Sequence, residues 1–367
     1  MPHGSGRVLA INPGSTSTKF GVYTKDGPEL VRTVHHTDED LAQFRGRSVL
    51  DQLDYRAGQI WSELQKAGYG AGKFDAIVGR GGLLPPVAGG TYLVDDAMLE
   101  QLRLARRGEH ASNLGAVLAH LFAKEAGVNA YVVDPVSVDE WQDCARISGS
   151  ALMQRSCLCH ALNTKAVARR FAREQRRQYK EMRLIVIHMG SGTSVSAHRD
   201  GQMIDNNTGE DGPFGIDRSG SLPVQQLIKL CFSGFYTQKQ LDRLVFGAGG
   251  VSSYLGTKDW TEVERRIDTG DEKAAAVCEA MVYQIAKEAG AMAAVLRGKV
   301  DAVLLTGGMA HSKRIVTRLS EYLEWIAPIK VYPGEDELES LADGAFRVVS
   351  GEDDPKTLQL EPTAPAL

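Results

Sequence analysis

Two stretches of this chain repeat each other in the same order, and that repetition limits its fold more than any other feature. Residues 184–198 run from an apolar strand, Leu184 to Ile187, into a turn of Gly190, Ser191, Gly192, Thr193 and Ser194. Val8 to Ile11 run likewise into Asn12-Pro13-Gly14-Ser15-Thr16-Ser17-Thr18, so that Ile11 falls on Ile187, Gly14 on Gly190, Ser15 on Ser191 and Ser17 on Thr193. A second pair follows: Asp75-Ala76-Ile77-Val78 ends in Gly81-Gly82, and Asp301-Ala302-Val303-Leu304-Leu305 ends in Gly307-Gly308. Self-similarity in fixed order predicts two copies of one α/β unit, with four glycine turns facing a cleft. The second copy is longer, and its extra residues are placed as an inserted loop near 205–260.

Small residues let a backbone approach an anion closely, and successive amides beside hydroxyls form a concave donor surface. A turn of this kind after a buried strand is therefore a candidate phosphate cradle. At 367 residues the chain exceeds the ~250–300 at which a single core stops growing, which also calls for two domains. A hydrophobic content of 43% and a net charge of -4 describe a globular protein with no nucleic-acid surface. The run Arg169, Arg170, Arg173, Arg176, Arg177 reads as a solvated helix face.

Five cysteines without a CxxC pair suit a reducing compartment and give no zinc pattern. With no signal-like leader and no run of ~18 apolar residues, a cytoplasmic protein without a membrane partner is expected.

Along the chain, helices are predicted over Leu50 to Ala67, Asn113 to Ala126 with Ser112 as its cap, His160 to about Met182, Asp271 to Arg297 and Leu338 to Val349. Ala130 to Val133 read as a strand ending in Asp134-Pro135, an acid where open α/β sheets bind ligands. Asp205 to Gly220 are too polar for a core element and read as a functional loop. The domains expected are 1–138 with 339–351, and 139–338. The proline-bearing segment 352–367 is expected to be disordered.

Ile11-Asn12-Pro13-Gly14-Ser15-Thr16-Ser17-Thr18-Lys19, Val78-Gly79-Arg80-Gly81-Gly82-Leu83-Leu84, His110-Ala111-Ser112-Asn113-Leu114-Gly115, His160-Ala161-Leu162-Asn163 and Leu305-Thr306-Gly307-Gly308-Met309-Ala310 together resemble the butyrate kinases. These belong to the acetate kinase group of the actin-like, sugar-kinase and heat-shock ATPase superfamily. The resemblance implies an α/β fold of two duplicated ribonuclease-H-like (actin-like ATPase) domains with a nucleotide cleft. It implies reversible phosphoryl transfer between ATP and a short-chain carboxylate, giving ADP and an acyl phosphate, with Mg2+. Butyrate or a branched four- or five-carbon acid is the acceptor it points to, and a homo-oligomer is expected.

That chemistry accounts for the residue types. A small carboxylic acid is ionised at pH 7, with a pKa near ~4, and needs no general base. The task is to bring two anions together, which suits arginine's planar fork.

Arg80, Arg218, His160 and Asn12 are the catalytic candidates. Ser15, Ser17, Lys19, His188, Gly190, Ser191, Gly192 and Thr193 are the expected phosphate-side contacts, and Gly307, Gly308 and Met309 border the adenosine. Asp134 and Glu337 match metal-associated acids, a set that suits magnesium because it takes only one or two carboxylates. Leu83, Leu84, Val87, Phe214 and Ile216 flank the arginines and are candidates for an apolar wall. A chaperone or filament ATPase on the same scaffold is the alternative from another class, but it would need a peptide-binding region or assembly surfaces. A sugar kinase would need an aspartate base for a hydroxyl of high pKa.

Overall fold

The computed structural model describes residues 6–359. The chain divides into two compact units. One takes the residues before Glu140 and after Glu335, and the other takes Glu140–Glu335.

The first unit holds β1 (Val8–Pro13), β2 (Ser17–Thr24), β3 (Gly27–His35), α1 (Asp38–Ala42), α2 (Leu53–Lys66), β4 (Ala76–Gly79), β5 (Thr91–Leu93), α3 (Asp96–Leu104), α4 (Asn113–Ala126) and β6 (Asn129–Val133). Its sheet order is β3-β2-β1-β4-β6-β5. β1, β4 and β6 are parallel, with Val8 opposite Ala76 and Ala76 opposite Asn129, while β1, β2 and β3 form an antiparallel meander.

Strands buried on both faces read as unbroken apolar runs, which is why Val8–Ile11 show no alternation. Leu9, Ile11, Ile77 and Val132 face a core shared with Ile60 and Leu64 of α2 and Leu114, Leu118 and Phe122 of α4. The opposite face is covered by the chain's last helix, α13 (Glu337–Val349), which buries Leu338, Leu341, Ala342 and Ala345. Contact there is close: a Cβ on Gly344 would lie 2.5 Å from Val133 Cγ2.

The second unit holds α5 (Asp143–Arg146), α6 (Ala161–Glu174), β7 (Leu184–Met189), β8 (Thr193–Arg199), β9 (Gln202–Asn206), α7 (Val224–Cys231), α8 (Gln238–Val245), α9 (Gly250–Leu255), α10 (Trp260–Asp268), α11 (Glu272–Val295), β10 (Ala302–Gly307), α12 (Lys313–Leu323) and β11 (Ile329–Pro333). Its sheet order is β11-β10-β7-β8-β9. The antiparallel β7-β8-β9 meander and the parallel β7, β10 and β11 repeat the β1-β2-β3 meander and the parallel β1, β4 and β6. One face packs on Val167, Phe171 and Ala172 of α6. The other packs on Val277, Met281, Ile285 and Met292 of α11 and Ile315 and Leu319 of α12. In chain order, then, α13 follows β11 yet closes the first unit's sheet, and α6 follows β6 and α5 yet closes the second unit's.

Several expectations are corrected. The helix opening at Ala161 stops at Glu174, short of Met182. Arg176 adopts a left-handed φ of 55°, and Arg177 N–H closes the end on Ala172 O at 2.9 Å. From Arg173 to Gln178 the run is charged or polar and has nothing apolar to bury, and the next apolar residues, Tyr179 and Met182, reach the core from outside the helix. Ser112 does not cap α4; it is itself in helical conformation and its hydroxyl meets His110 Nδ1 at 2.8 Å.

Asp205 and Asn206 belong to β9, and the expected inserted loop contains α7, α8 and α9. In the segment expected to be disordered, Lys356 exchanges backbone hydrogen bonds with Thr91 and Leu93, both 2.8 Å, and Leu358 is buried in the first core. Residues 360–367 of that segment lie outside the described residues. No helix among the described residues is long and apolar enough to cross a membrane.

Candidate active site

In the first unit the candidate side chains collect at the carboxyl ends of β1, β4 and β6, where parallel sheets present their ligand-binding edge. Asn12 is next to last in β1, Arg80 follows β4 and Asp134 follows β6. Glu337, first residue of α13, accepts hydrogen bonds from both Asn12 Nδ2 and Arg80 Nη1. The arginine therefore stands in an ion pair, with its side chain 21% exposed.

Its backbone is fixed as firmly. Arg80 N–H donates to Ile11 O at 2.9 Å, and the turn is pressed onto α4 through two glycines. A Cβ on Gly79 would lie 2.0 Å from Gly115 O, and one on Gly115 would lie 2.2 Å from Arg80 O. Asn113 Oδ1 accepts from Leu83 N–H at 2.9 Å. The Asn113-Leu114-Gly115 stretch thus shapes the turn that presents Arg80.

Asp134 is buried with φ 38° and accepts from Gly90 N–H at 2.7 Å. Among the described residues no three His, Cys, Asp or Glu side chains form a metal-sized cluster. That still suits magnesium, which keeps several waters and takes few carboxylates. Ser15 and Lys19 are exposed and Ser17 half-buried, on the β1–β2 turn and the start of β2.

In the second unit the carboxyl ends of β7, β10 and β11 carry the corresponding groups. His188, at 1% exposure, donates from Nδ1 to Asn163 Oδ1 at 2.9 Å and presents Nε2 to Glu335 Oε1 at 3.1 Å. Its ring stacks on His160, centroids 3.9 Å apart and 14° between planes, while His160 Nδ1 meets Ser194 Oγ at 3.2 Å. Gly190 N–H closes the turn on Gly192 O at 2.9 Å.

Arg218 lies flat on this turn: a Cβ on Gly192 would come within 2.5 Å of its Nη1. Its guanidinium has no hydrogen-bond or ion-pair partner among the described residues. The hydroxyl of Thr193, in the same turn, is buried without a hydrogen-bond partner. An orphaned buried hydroxyl beside an uncommitted guanidinium suits phosphoryl oxygens.

The loop carrying Arg218 is anchored by Arg155, which donates to Asp211 Oδ2 at 2.7 Å and Asn206 O at 2.9 Å. Gly307, at φ 89°, is pressed against Met189 and pairs with Gly334, while Gly308 has open space at its Cα and Met309 is buried.

The predicted residues thus fall into Asn12, Arg80 and Glu337 in one unit, and His160, His188, Arg218, Thr193 and the Gly190–Gly192 turn in the other. Of the residues expected to form an apolar wall, Leu84, Val87, Phe214 and Ile216 are buried in the cores of their own units and Leu83 is half-buried. Asn163, Glu335 and Arg56 were missed. Asn163 had a signal, since it lies three residues after His160 and so shares its helix face. Glu335 and Arg56 had none, because their partners are distant in sequence.

These two units, each a five-strand motif of meander plus parallel strands flanked by helices, define the actin-like ATPase fold. The described structure is similar to that of Porphyromonas gingivalis acetate kinase, with a TM-score of 0.75 at 18% identity over 94% of this chain and 100% of that one. It is similar to an acetate kinase from Entamoeba histolytica, with a TM-score of 0.73 at 13% identity over 93% and 99%. A propionate kinase from Francisella tularensis gives 0.71 at 16% identity over 92% and 98%. Residues 152–357 match the model of the acetokinase family, and the chain belongs to that family.

Proposed function

We propose that this chain transfers a phosphoryl group reversibly between ATP and a short-chain carboxylate, with butyrate or a branched four- or five-carbon acid preferred to acetate. The observation that carries the reading is Arg218, whose guanidinium is unpaired among the described residues and lies on Gly192 beside the orphaned hydroxyl of Thr193. In this reading Arg218 and His160 hold the transferring phosphoryl group, and the Gly190–Thr193 turn holds the rest of the phosphate chain. Asn12 and Arg80 meet the acceptor side once Glu337 gives them up.

Asp134 and Glu337 are the acids offered to magnesium, which when bound supplies charge neutralisation on the phosphates. The acceptor needs no base, because a carboxylate is already ionised at neutral pH. The resemblance of the sequence motifs to butyrate kinases supports the longer acids. The exposed Val224, Ile228, Phe232 and Phe235 on and beside α7, a helix that buries none of its own residues, support a homo-oligomer.

An acid panel with MgATP, trapping acyl phosphate as the hydroxamate, tests the activity. Each buried methylene contributes ~0.8 kcal/mol, so butyrate should exceed acetate by roughly tenfold to twentyfold in kcat/KM. Equal values for the two acids would remove the butyrate preference, and no hydroxamate from any acid would remove the kinase.

A further inference from the structure

Arg56, on α2, is among the largest fully buried side chains, at 1% exposure, and its guanidinium meets only neutral oxygens. Nε and Nη2 donate to Gln52 Oε1 at 3.0 and 2.8 Å. Nη1 donates to Gly14 O at 2.8 Å, Thr18 Oγ1 at 2.9 Å and Ser17 O at 3.3 Å, and Nη2 to Ser15 O at 3.2 Å. No carboxylate pairs with it among the described residues. A buried charge without a counter-charge is costly, so such a group is retained where something else compensates it.

The turn above it shows what that is. Its carbonyls are all engaged inward: Gly14, Ser15 and Ser17 with Arg56, and Thr16 with His36 N–H at 2.8 Å. Because the peptide is planar and trans, a carbonyl turned inward sends the next amide outward. The amides of Ser15 and Thr16 accordingly have no acceptor among the described residues, and both residues are exposed. The outer face of the turn is left with two amide donors and no carbonyl acceptor, over a buried positive charge, and the hydroxyls of Ser15 and Ser17 on the same turn can donate as well. Such a surface selects an anion with several acceptor oxygens.

We propose that Arg56 is a positioning residue for nucleotide: it gathers the β1–β2 turn's carbonyls so that the amides face a phosphoryl group, whose charge completes its own. This rests on the carboxylate kinase reading for the identity of the ligand. Arg56 does not touch the ligand itself.

The decisive variant is Gln52→Glu, which keeps an acceptor oxygen for Nε and Nη2 and adds the missing counter-charge. A purely structural Arg56 predicts that this variant binds nucleotide normally. The proposal predicts an unchanged or higher Tm without ligand, and MgADP and MgATP binding weakened about tenfold, because an opposite charge now offsets the guanidinium. The carboxylate KM should stay within about twofold of wild type, since the turn is assigned to phosphate alone.

Arg56→Lys, which keeps charge but loses the fork, should raise the nucleotide KM by a similar factor. Gln52→Glu with wild-type nucleotide affinity, measured calorimetrically and as the nucleotide-induced rise in Tm, would overturn the proposal. That readout needs no acceptor acid, so it is decided apart from the hydroxamate assay, whose failure would count against the kinase alone.

Discussion

Replacing Gly115 by alanine tests how Arg80 is held. Inside a helix this change ordinarily stabilises by up to ~1 kcal/mol of propensity, and by less in the first turn, where Gly115 stands. Here the new Cβ would lie 2.2 Å from Arg80 O and 2.8 Å from Arg80 N, against ordinary C···O contacts of about 3.3 Å, so α4 and the turn must part by roughly 1 Å. Both obstructing atoms are backbone, which puts the cost at the upper end of the ~1–3 kcal/mol typical of overpacking.

The expected net loss is about 2 kcal/mol in urea unfolding. Because misplacing a reacting group by ~1 Å costs on the order of 10²-fold, kcat should fall by about that factor. Gly58→Ala in α2 is the control: an added Cβ there meets nothing within 4 Å, and the variant should gain ~0.5–1 kcal/mol with kcat unchanged. If Gly115→Ala matches Gly58→Ala in sign and keeps wild-type kcat, the reasoning about Arg80 is refuted.

Arg218→Ala should lower kcat by about 10²–10⁴ with little change in Tm, since the proposed function puts its charge at the transition state and it makes no ion pair among the described residues; near-normal turnover would take it out of the proposed site. Deleting the chain from Asp354 onward should destabilise by ~2–4 kcal/mol and lower Tm by roughly 5–10 °C, because it removes the Lys356 bridge and the burial of Leu358. An unchanged Tm would show that this segment does not dock. Burial and the neighbouring Arg56 charge push the His36 imidazole down to about 4. The native state then binds fewer protons than the unfolded chain between that value and the ordinary ~6.5, so stability should be full above that window and fall by ~3 kcal/mol as pH drops through it. His36→Gln should flatten that slope in urea titrations at several pH values.

The duplicated architecture was legible because its signals are local. An apolar run followed by glycine and serine marks β1 and β7, and the order of four such turns fixed the two-unit α/β plan. Asn12, Arg80, His160, His188 and Arg218 were singled out by motif, and the structure groups Asn12 and Arg80 in one unit and the other three in the second. Arg56 was hidden because a guanidinium on a helix declares nothing about a turn some forty residues earlier. Its neighbours Ala57 and Ile60 made the helix readable without making the charge look unusual. Leu358 was hidden differently: one apolar residue in a proline-bearing tail has no periodicity, and only the sheet edge at Thr91–Leu93 gives it a place. The glycines of the arginine turn were visible, but their necessity lies in α4, whose approach no local pattern reports.

The exchange of closing helices has a consequence for how the chain is made. Synthesis delivers β1 to β6 first, with α2 and α4 ready to cover one side of that sheet. The side bearing Val133 must wait for α13, which leaves the ribosome only after all of Glu140–Glu335 has been translated. A nascent chain stopped at Asp139 therefore shows a bare apolar sheet face and is a natural client for a ribosome-associated holdase. A rearranged gene that translates Asp336 onward ahead of Val8 would give that sheet its cover at birth.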